Sequence, residues 1–219
     1  MISLLLCALA LASPPAPAHD SITIARLRYG GGGDWYANPS SLPNLLAAVR
    51  ERTGIPARTR EVAVSLLDPG LRDHPYLYMT GHGNVRFSAA ERAALRAHLD
   101  AGGFLHADDN YGLDASFREE MAKVFPEEPL TEIPPEHPVF HAVYDLPEGI
   151  PKIHEHDGKP PQALGIFRGA RLVVFYSYEA DLGDGWEDPE VHGDAHEIRE
   201  QALRMGVNLV VFALGQSVP

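Results

Sequence analysis

Two adjacent carboxylates, Asp108 and Asp109, stand in the stretch "LHADDNYG", directly after an apolar run and directly before a segment with helical spacing. Open α/β sheets place their chemistry in the loops at the carboxyl ends of strands. A carboxylate in such a loop can act as a general base or as a metal ligand. Adjacent side chains on a turn diverge, so one aspartate is expected to face a pocket while Asp109 or Asn110 caps the following helix. His82, between two glycines in "GHGN", ends the preceding expected strand and is the candidate partner of Asp108.

A second unusual stretch is "YGGGGDWY". Its glycines, among them Gly31, Gly32 and Gly33, remove side chains where a ligand or another backbone would approach, and their amides could cradle an anion. No Gly-Lys-Ser/Thr follows, and the spacing departs from the dinucleotide fingerprint, so neither nucleotide-binding loop is implied. Asp34, Trp35 and Tyr36 add a carboxylate and two aromatic faces, a combination that suits a polar ring. Packing into the core is the competing role for Trp35. Asp34, Trp35, His82, Asp108 and Asp109 are expected to line one cavity. Two such carboxylates without a cation should raise at least one pKa, and Asp108→Asn should leave the fold unchanged or more stable.

Among the 11 histidines, two spacings suit a metal. His154 and His156 in "HEH" can share one face of a strand, and His192 and His196 in "HGDAH" stand at i and i+4, which brings both rings together on a helix, with Asp194 close by. The surrounding "EADLGDGWEDPEVHGDAH" is acidic and turn-rich but lacks the regular spacing of a calcium loop. A solvated surface loop is the favoured reading of this stretch; the one cofactor these residue types suggest beside it is a divalent metal, with His192 and His196 as its candidate ligands.

The elements that must position these residues alternate. "SITIARLRYG", "ARTREVAVSL", "PYLYMTG" and "FLHA" have strand character, and "SSLPNLLAAVRERTG", "SAAERAALRAHLDAGG" and "LDASFREEMAKVF" have helical spacing. Ser40 or Ser41 should cap the first helix and Gly54 should end it, while Ser88 and Glu91 form a capping box. A Pro-rich excursion to about Pro161 leads into a hairpin, "ALGIFRGARLVVFYSY", turned at Arg168-Gly169, and then into a long final helix from "HEIREQALRMGVNLVVFALG". This order predicts a three-layer α/β fold of flavodoxin-like architecture, a mostly parallel sheet with helices on both faces. Residues 19–219 are read as a single domain.

The chain of 219 residues has a formal charge of −12, which excludes nucleic acid as a partner. The apolar run from Ile2 to Ala12 and the Ala16-Pro17-Ala18 site match a secretory signal over residues 1–18, so the mature chain is expected to begin at His19 and to be exported, periplasmic or extracellular. The run is shorter than the roughly 20 apolar residues of a spanning helix, so no transmembrane segment is expected in the mature chain. Cys7, the one cysteine, falls within the signal, leaving no thiolate chemistry.

Taken together, "RLRYGGGGDWYANPSSLPNLL", "MTGHG", "GGFLHADDNYG" and "EHPVFH" resemble a bacterial family defined as a domain of unknown function, over nearly all of the mature chain. "LPEGIP" is also similar to trehalose-utilisation-type proteins. The resemblance implies a fold similar to type I glutamine amidotransferases. Those enzymes need a cysteine on the turn after a central strand and a histidine and glutamate after a later one. Here Ala107 or Asp108 falls at the nucleophile position, Ser177 stands where the histidine would be, and Glu179 where the glutamate would be.

The leading function is then an exported module that binds a small polar ligand or a protein partner at the strand ends. The alternative is a metal-assisted hydrolase with Asp108 as base or ligand, His82 as its partner and Glu179 beside them. A third reading is copper chelation by an exposed amino-terminal His19. Acyl transfer needs both a nucleophile and its base, so a glutaminase assay on the purified protein should register no glutamate release. Activity surviving rigorous purification would overturn the alignment.

Overall fold

The computed structural model describes residues 21–216. The expected signal over 1–18, Cys7 and His19 lie outside them. The elements run β1 (Ala25–Arg28), α1 (Ser41–Thr53), β2 (Val62–Ser65), β3 (Tyr76–His82), α2 (Ala89–Asp100), β4 (Phe104–Tyr111), α3 (Asp114–Val124), β5 (Thr131–Glu132), β6 (Gln162–Arg168), β7 (Arg171–Tyr178), α4 (Leu182–Trp186), α5 (Pro189–His192) and α6 (His196–Gly215). The seven strands form one sheet in the order β2-β1-β3-β4-β7-β6-β5. The first five in that order are parallel, and β6 and β5 extend the sheet antiparallel. This is a three-layer, flavodoxin-like α/β arrangement. No helix among the described residues is long and apolar enough to cross a membrane.

Strand alternation divides the core. Tyr76, Tyr78, Phe104 and Phe175 pack with α1, α4 and α6, whereas Leu77, Met79, Leu105 and Tyr176 pack with α2 and α3. Because the central strands are covered on both faces, they read as nearly continuous apolar runs. The Ser88 capping box of α2 is present, and Gly54 ends α1 with φ 73°. Ser40 precedes α1 but makes no side-chain cap; its hydroxyl donates to Glu187 Oε1 at 3.0 Å. The hairpin turns at Gly169-Ala170, one residue later than expected, with Gly169 at φ 62°.

The larger difference lies in β4. The sequence places Asp108 to Tyr111 beyond the strand, but the strand continues through Tyr111. The ladder explains this: Asp108 is paired with Thr80 on one side and Ser177 on the other, and pairing with β3 continues to Tyr111. Two flanking strands hold Asp108, and β3 alone keeps the backbone extended from there to Tyr111, through residues that favour turns.

The glycine stretch meets protein rather than ligand. Gly30 bridges to Arg86, Gly33 N donates to Asn84 O at 3.1 Å, and Asp34 N donates to His82 O at 3.2 Å. A Cβ on Gly31 would sit 2.6 Å from Asn84 O, and one on Gly33 would sit 2.7 Å from Tyr29 Oη. The glycines therefore allow two strand-end loops to close on each other over the β1/β3 crevice. The Pro-rich excursion is likewise held by backbone pairing to a side chain: Asn208 of α6 accepts from Val143 N and Tyr144 N and donates to Tyr144 O.

Candidate functional site

The two aspartates point to opposite sides of the sheet because they are neighbours on a strand. Asp108 faces α4 and is fully buried. Its carboxylate accepts from Gly183 N at 2.6 Å, Leu182 N at 3.2 Å, Tyr78 Oη at 3.3 Å and the Ser177 hydroxyl. Burial pushes its pKa up to about 6, against the pull of the hydrogen bonds from Ser177 and Gly183. Asp109 faces α3, accepts from Leu113 N at 3.0 Å and from Tyr176 Oη at 3.2 Å, and is also raised to about 6 by burial. Both aspartates therefore bind amides at the start of a helix, Asp108 at α4 and Asp109 just ahead of α3.

His82 does not meet Asp108. Its Nδ1 lies 3.1 Å from Asp34 Oδ2, and Asp34 Oδ1 also accepts the His82 backbone N–H. Glu179 pairs with Lys152 Nζ at 3.2 Å. Trp35 and Tyr36 line a hollow of about 290 Å³ with Arg26, Arg60 and Glu61, while Asp109 opens into a different one. The single cavity expected for Asp34, Trp35, His82, Asp108 and Asp109 is thus divided, because Asp108 is enclosed under α4 and the glycine loop fills the space between β1 and β3. His106, on the same face as Asp108, is buried; its Nε2 lies 2.9 Å from Ser177 Oγ and its Nδ1 lies 3.3 Å from Tyr76 Oη. Burial lowers its pKa to about 3, which keeps the ring neutral.

His192 and His196 are not paired on one helix. Gly193, at φ 72°, ends α5 after His192, and His196 begins α6. His192 instead joins His154 and Asp184, whose ligating atoms lie within 4.8 Å of one another. His154 Nδ1 is 3.0 Å from Asp184 Oδ2 and 3.3 Å from Asp181 Oδ2, and its Nε2 is 2.9 Å from Asp194 Oδ1. His192 Nε2 is 3.5 Å from Asp184 Oδ2 and 3.2 Å from Glu187 Oε2. His156 Nε2 approaches Asp181 Oδ2 to 2.9 Å. Burial raises the pKa of Asp181, and the hydrogen bond to Asp181 followed by that to Asp194 raises the pKa of His154. Asn38, Glu179 and Asp181 are the non-glycine residues with positive φ among the described residues, at 57°, 55° and 59°. All three border this cluster or the adjoining hollow, and left-handed backbone of this kind collects at functional sites.

That hollow, about 280 Å³, lies at the carboxyl ends of β4 and β7 and is lined by Asp109, Tyr111, Asp114, Asp157, Lys159 and Glu179, with His156 and Tyr178 on its walls. His156 belongs to both places, since its ring also packs on Tyr111 at 5.2 Å. The sequence isolates His154, His156, His192 and Asp194 by their spacing. Asp181 and Asp184 lie within the acidic stretch that it marks only as a whole, and Asn38 carries no signal beyond the tolerance of asparagine for left-handed backbone.

The chain belongs to the family described as Domain of unknown function (DUF4159), whose model matches residues 23–214. No curated protein matches it.

The environments of the two aspartates predict opposite outcomes for the same substitution. Asp108→Asn replaces one acceptor oxygen by an NH2 donor facing N–H and O–H groups that in the wild type meet a carboxylate, so denaturant melts should show a loss of about 1–3 kcal/mol, the reverse of the sequence-based expectation; unchanged stability would contradict the capping role. Tyr176 Oη lies 3.2 Å from Asp109 Oδ2 and 3.1 Å from Asp114 Oδ1, and its one proton cannot serve both. Asp109→Asn can donate to Tyr176, which then donates to Asp114. Because the folded-state pKa of Asp109 lies above its ordinary value of 3.8, ionisation costs stability progressively as pH rises from about 4 through about 6. The variant should match the wild type near pH 4 and exceed it by up to about 3 kcal/mol at pH 7.5. A difference independent of pH would count against this assignment.

Proposed function

We propose that this protein acts outside the cytoplasm as a binding module that takes a small polar ligand into the hollow at the ends of β4 and β7. The fold is read as amidotransferase-like without the Cys-His pair. The observation that carries this reading is the hollow, whose lining holds four carboxylates, Asp109, Asp114, Asp157 and Glu179, one ammonium group, Lys159, and the half-exposed ring of Tyr111, while Lys152 and Arg118 pair with Glu179 and Asp114 from outside that lining. Lys159 is itself engaged by Asp157 and the Tyr178 hydroxyl, at 3.2 and 3.0 Å. The four carboxylates still outnumber the three cations paired with them, Arg118, Lys152 and Lys159, and the hollow favours a ligand rich in ammonium or hydroxyl donors over an anion. Export is supported by the signal-like run at the amino terminus, and the absence of acyl-transfer chemistry by Ser177 and Ala107 or Asp108 at the positions that would need histidine and cysteine. A hydrolase built on Asp108 and His82 has no such support, because Asp108 is enclosed by four donors and His82 is paired with Asp34.

The test is thermal melting of the protein against amino acids, polyamines and neutral sugars. At least one compound should raise the wild-type melting temperature and lose that effect in Tyr111→Ala and Lys159→Ala, both at exposed positions. A panel without effect, or a shift retained in both variants, would refute the binding reading.

A further inference from the structure

Beyond the hollow, we propose that His154, Asp184 and His192 bind a first-row divalent cation of the zinc class. The three come from separate parts of the chain: the end of the Pro-rich excursion, the short α4 and the short α5. Their facing atoms are already close to a coordination polyhedron. Asp184 Oδ2 lies 3.0 Å from His154 Nδ1 and 3.5 Å from His192 Nε2, and ligands at zinc bond lengths around a tetrahedron stand about 3.4 Å apart.

The outer atoms of two of these side chains are held as metal ligands are held. Metal-binding histidines give their second ring nitrogen to a carboxylate or carbonyl, and ligating carboxylates are hydrogen-bonded in turn. His154 Nε2 faces Asp194 Oδ1 at 2.9 Å, which leaves Nδ1 directed at the cluster. Asp184 Oδ1 accepts from Asn38 Nδ2 at 2.5 Å and from Asn110 Nδ2 at 3.4 Å, which leaves Oδ2 directed the same way. Asn110, read from the sequence as a cap or ligand-binding residue, thus positions Asp184.

An independent observation also calls for a cation. Asp181 is almost wholly buried, and while its Oδ2 meets His154 and His156, its Oδ1 has no hydrogen-bond partner among the described residues. A buried carboxylate oxygen without a partner is costly, and either a positive centre near it or a proton on the carboxyl itself, whose pKa burial raises, relieves that cost. Two imidazole nitrogens with one carboxylate select zinc, iron(II), cobalt or nickel over magnesium and calcium, which take oxygen ligands. Glu187 Oε2, 3.2 Å from His192 Nε2, adds a further negative group at the rim.

The competing arrangement is a proton on His154 that neutralises the surrounding aspartates without any metal. Titration of the untagged, chelator-treated protein with Zn²⁺, repeated with Co²⁺ for its absorption spectrum, separates the two. One Zn²⁺ per chain is expected, with visible Co²⁺ bands of four- or five-coordination. His192→Ala should weaken zinc binding on the order of 100-fold, Asp194→Asn by about 10–100-fold, and His196→Ala not at all. His192→Gln, with melts confirming the fold of every variant, guards against misfolding as the cause. The proposal is overturned by the absence of stoichiometric zinc, by undiminished affinity in His192→Ala and His192→Gln, by an equal loss in His196→Ala, or by Ca²⁺ or Mg²⁺ displacing zinc at matched concentration. Because the readout is metal affinity, a negative result leaves the binding of organic ligands to the hollow to its own test.

Discussion

The carboxylate of Asp108 ties the carboxyl edge of the sheet to the helical layer above it. It sits on the central strand β4 and accepts from two successive amides at the start of α4, as well as from Tyr78 and Ser177. Charge-assisted bonds of this kind are stronger than neutral ones, and here they offset part of the desolvation that raises the carboxyl's pKa. With α4 anchored, Trp186 is fully buried against Tyr78 and His106, with ring separations of 5.6 and 5.8 Å, and its Nε1–H reaches Ala202 O of α6 at 2.8 Å. The approach is too close for a side chain on Gly183, whose Cβ would lie 2.5 Å from Tyr78 Oη. One buried acid thus sets where α4 begins, and α4 sets how α6 lies on the sheet.

The same anchor constrains the segment leading from β7 into α4. Glu179 and Asp181 adopt left-handed backbone there, and Asn38 does so on the facing loop while donating to Asp184. Each such residue costs on the order of 1–3 kcal/mol unless its surroundings require it. The result is a dense group of carboxylates, Asp181, Asp184, Glu187 and Asp194, interleaved with three imidazoles. Charge of one sign concentrated in partly buried space needs compensation, and a proton on Asp181, protons on the imidazoles or a bound cation can supply it.

The position of the hollow follows from how the other half of the edge is built. In a sheet of this strand order the crevice between β1 and β3 is the usual place for a ligand. Here that crevice is closed by the protein's own backbone, with the glycine stretch bonded to residues 82–86 and Asp34 holding His82 by both its backbone and its ring. Open space remains farther along, at β4 and β7, where the Pro-rich excursion brings His154 to Lys159 over the strand ends. His156 joins the hollow to the histidine and aspartate cluster, so anything bound in one lies against the wall of the other.

Periodicity and punctuation carry the fold in this sequence. Apolar runs bounded by Gly and Pro, the Ser88 box and the Gly54 stop depend on neighbours in the chain, so the alternating architecture, the late hairpin and the long last helix can be read without coordinates. The extent of β4 could not, since Asp-Asp-Asn favours a turn locally and only the ladder from β3, joined by β7 as far as Asp108, keeps it extended. The glycine run and the aspartate pair were legible as unusual but not as to purpose; whether a glycine makes room for a ligand or for another loop depends on what is opposite it. His192 and His196 show the same limit more sharply. Their spacing is right for a helix, but a left-handed glycine between them breaks it, and His192 turns instead to Asp184 of the preceding short helix and to His154 from a distant part of the chain. Local sequence determines backbone conformation because those energies are set by adjacent residues, whereas the partners of a buried charge are chosen by long-range packing, which only the tertiary structure decides.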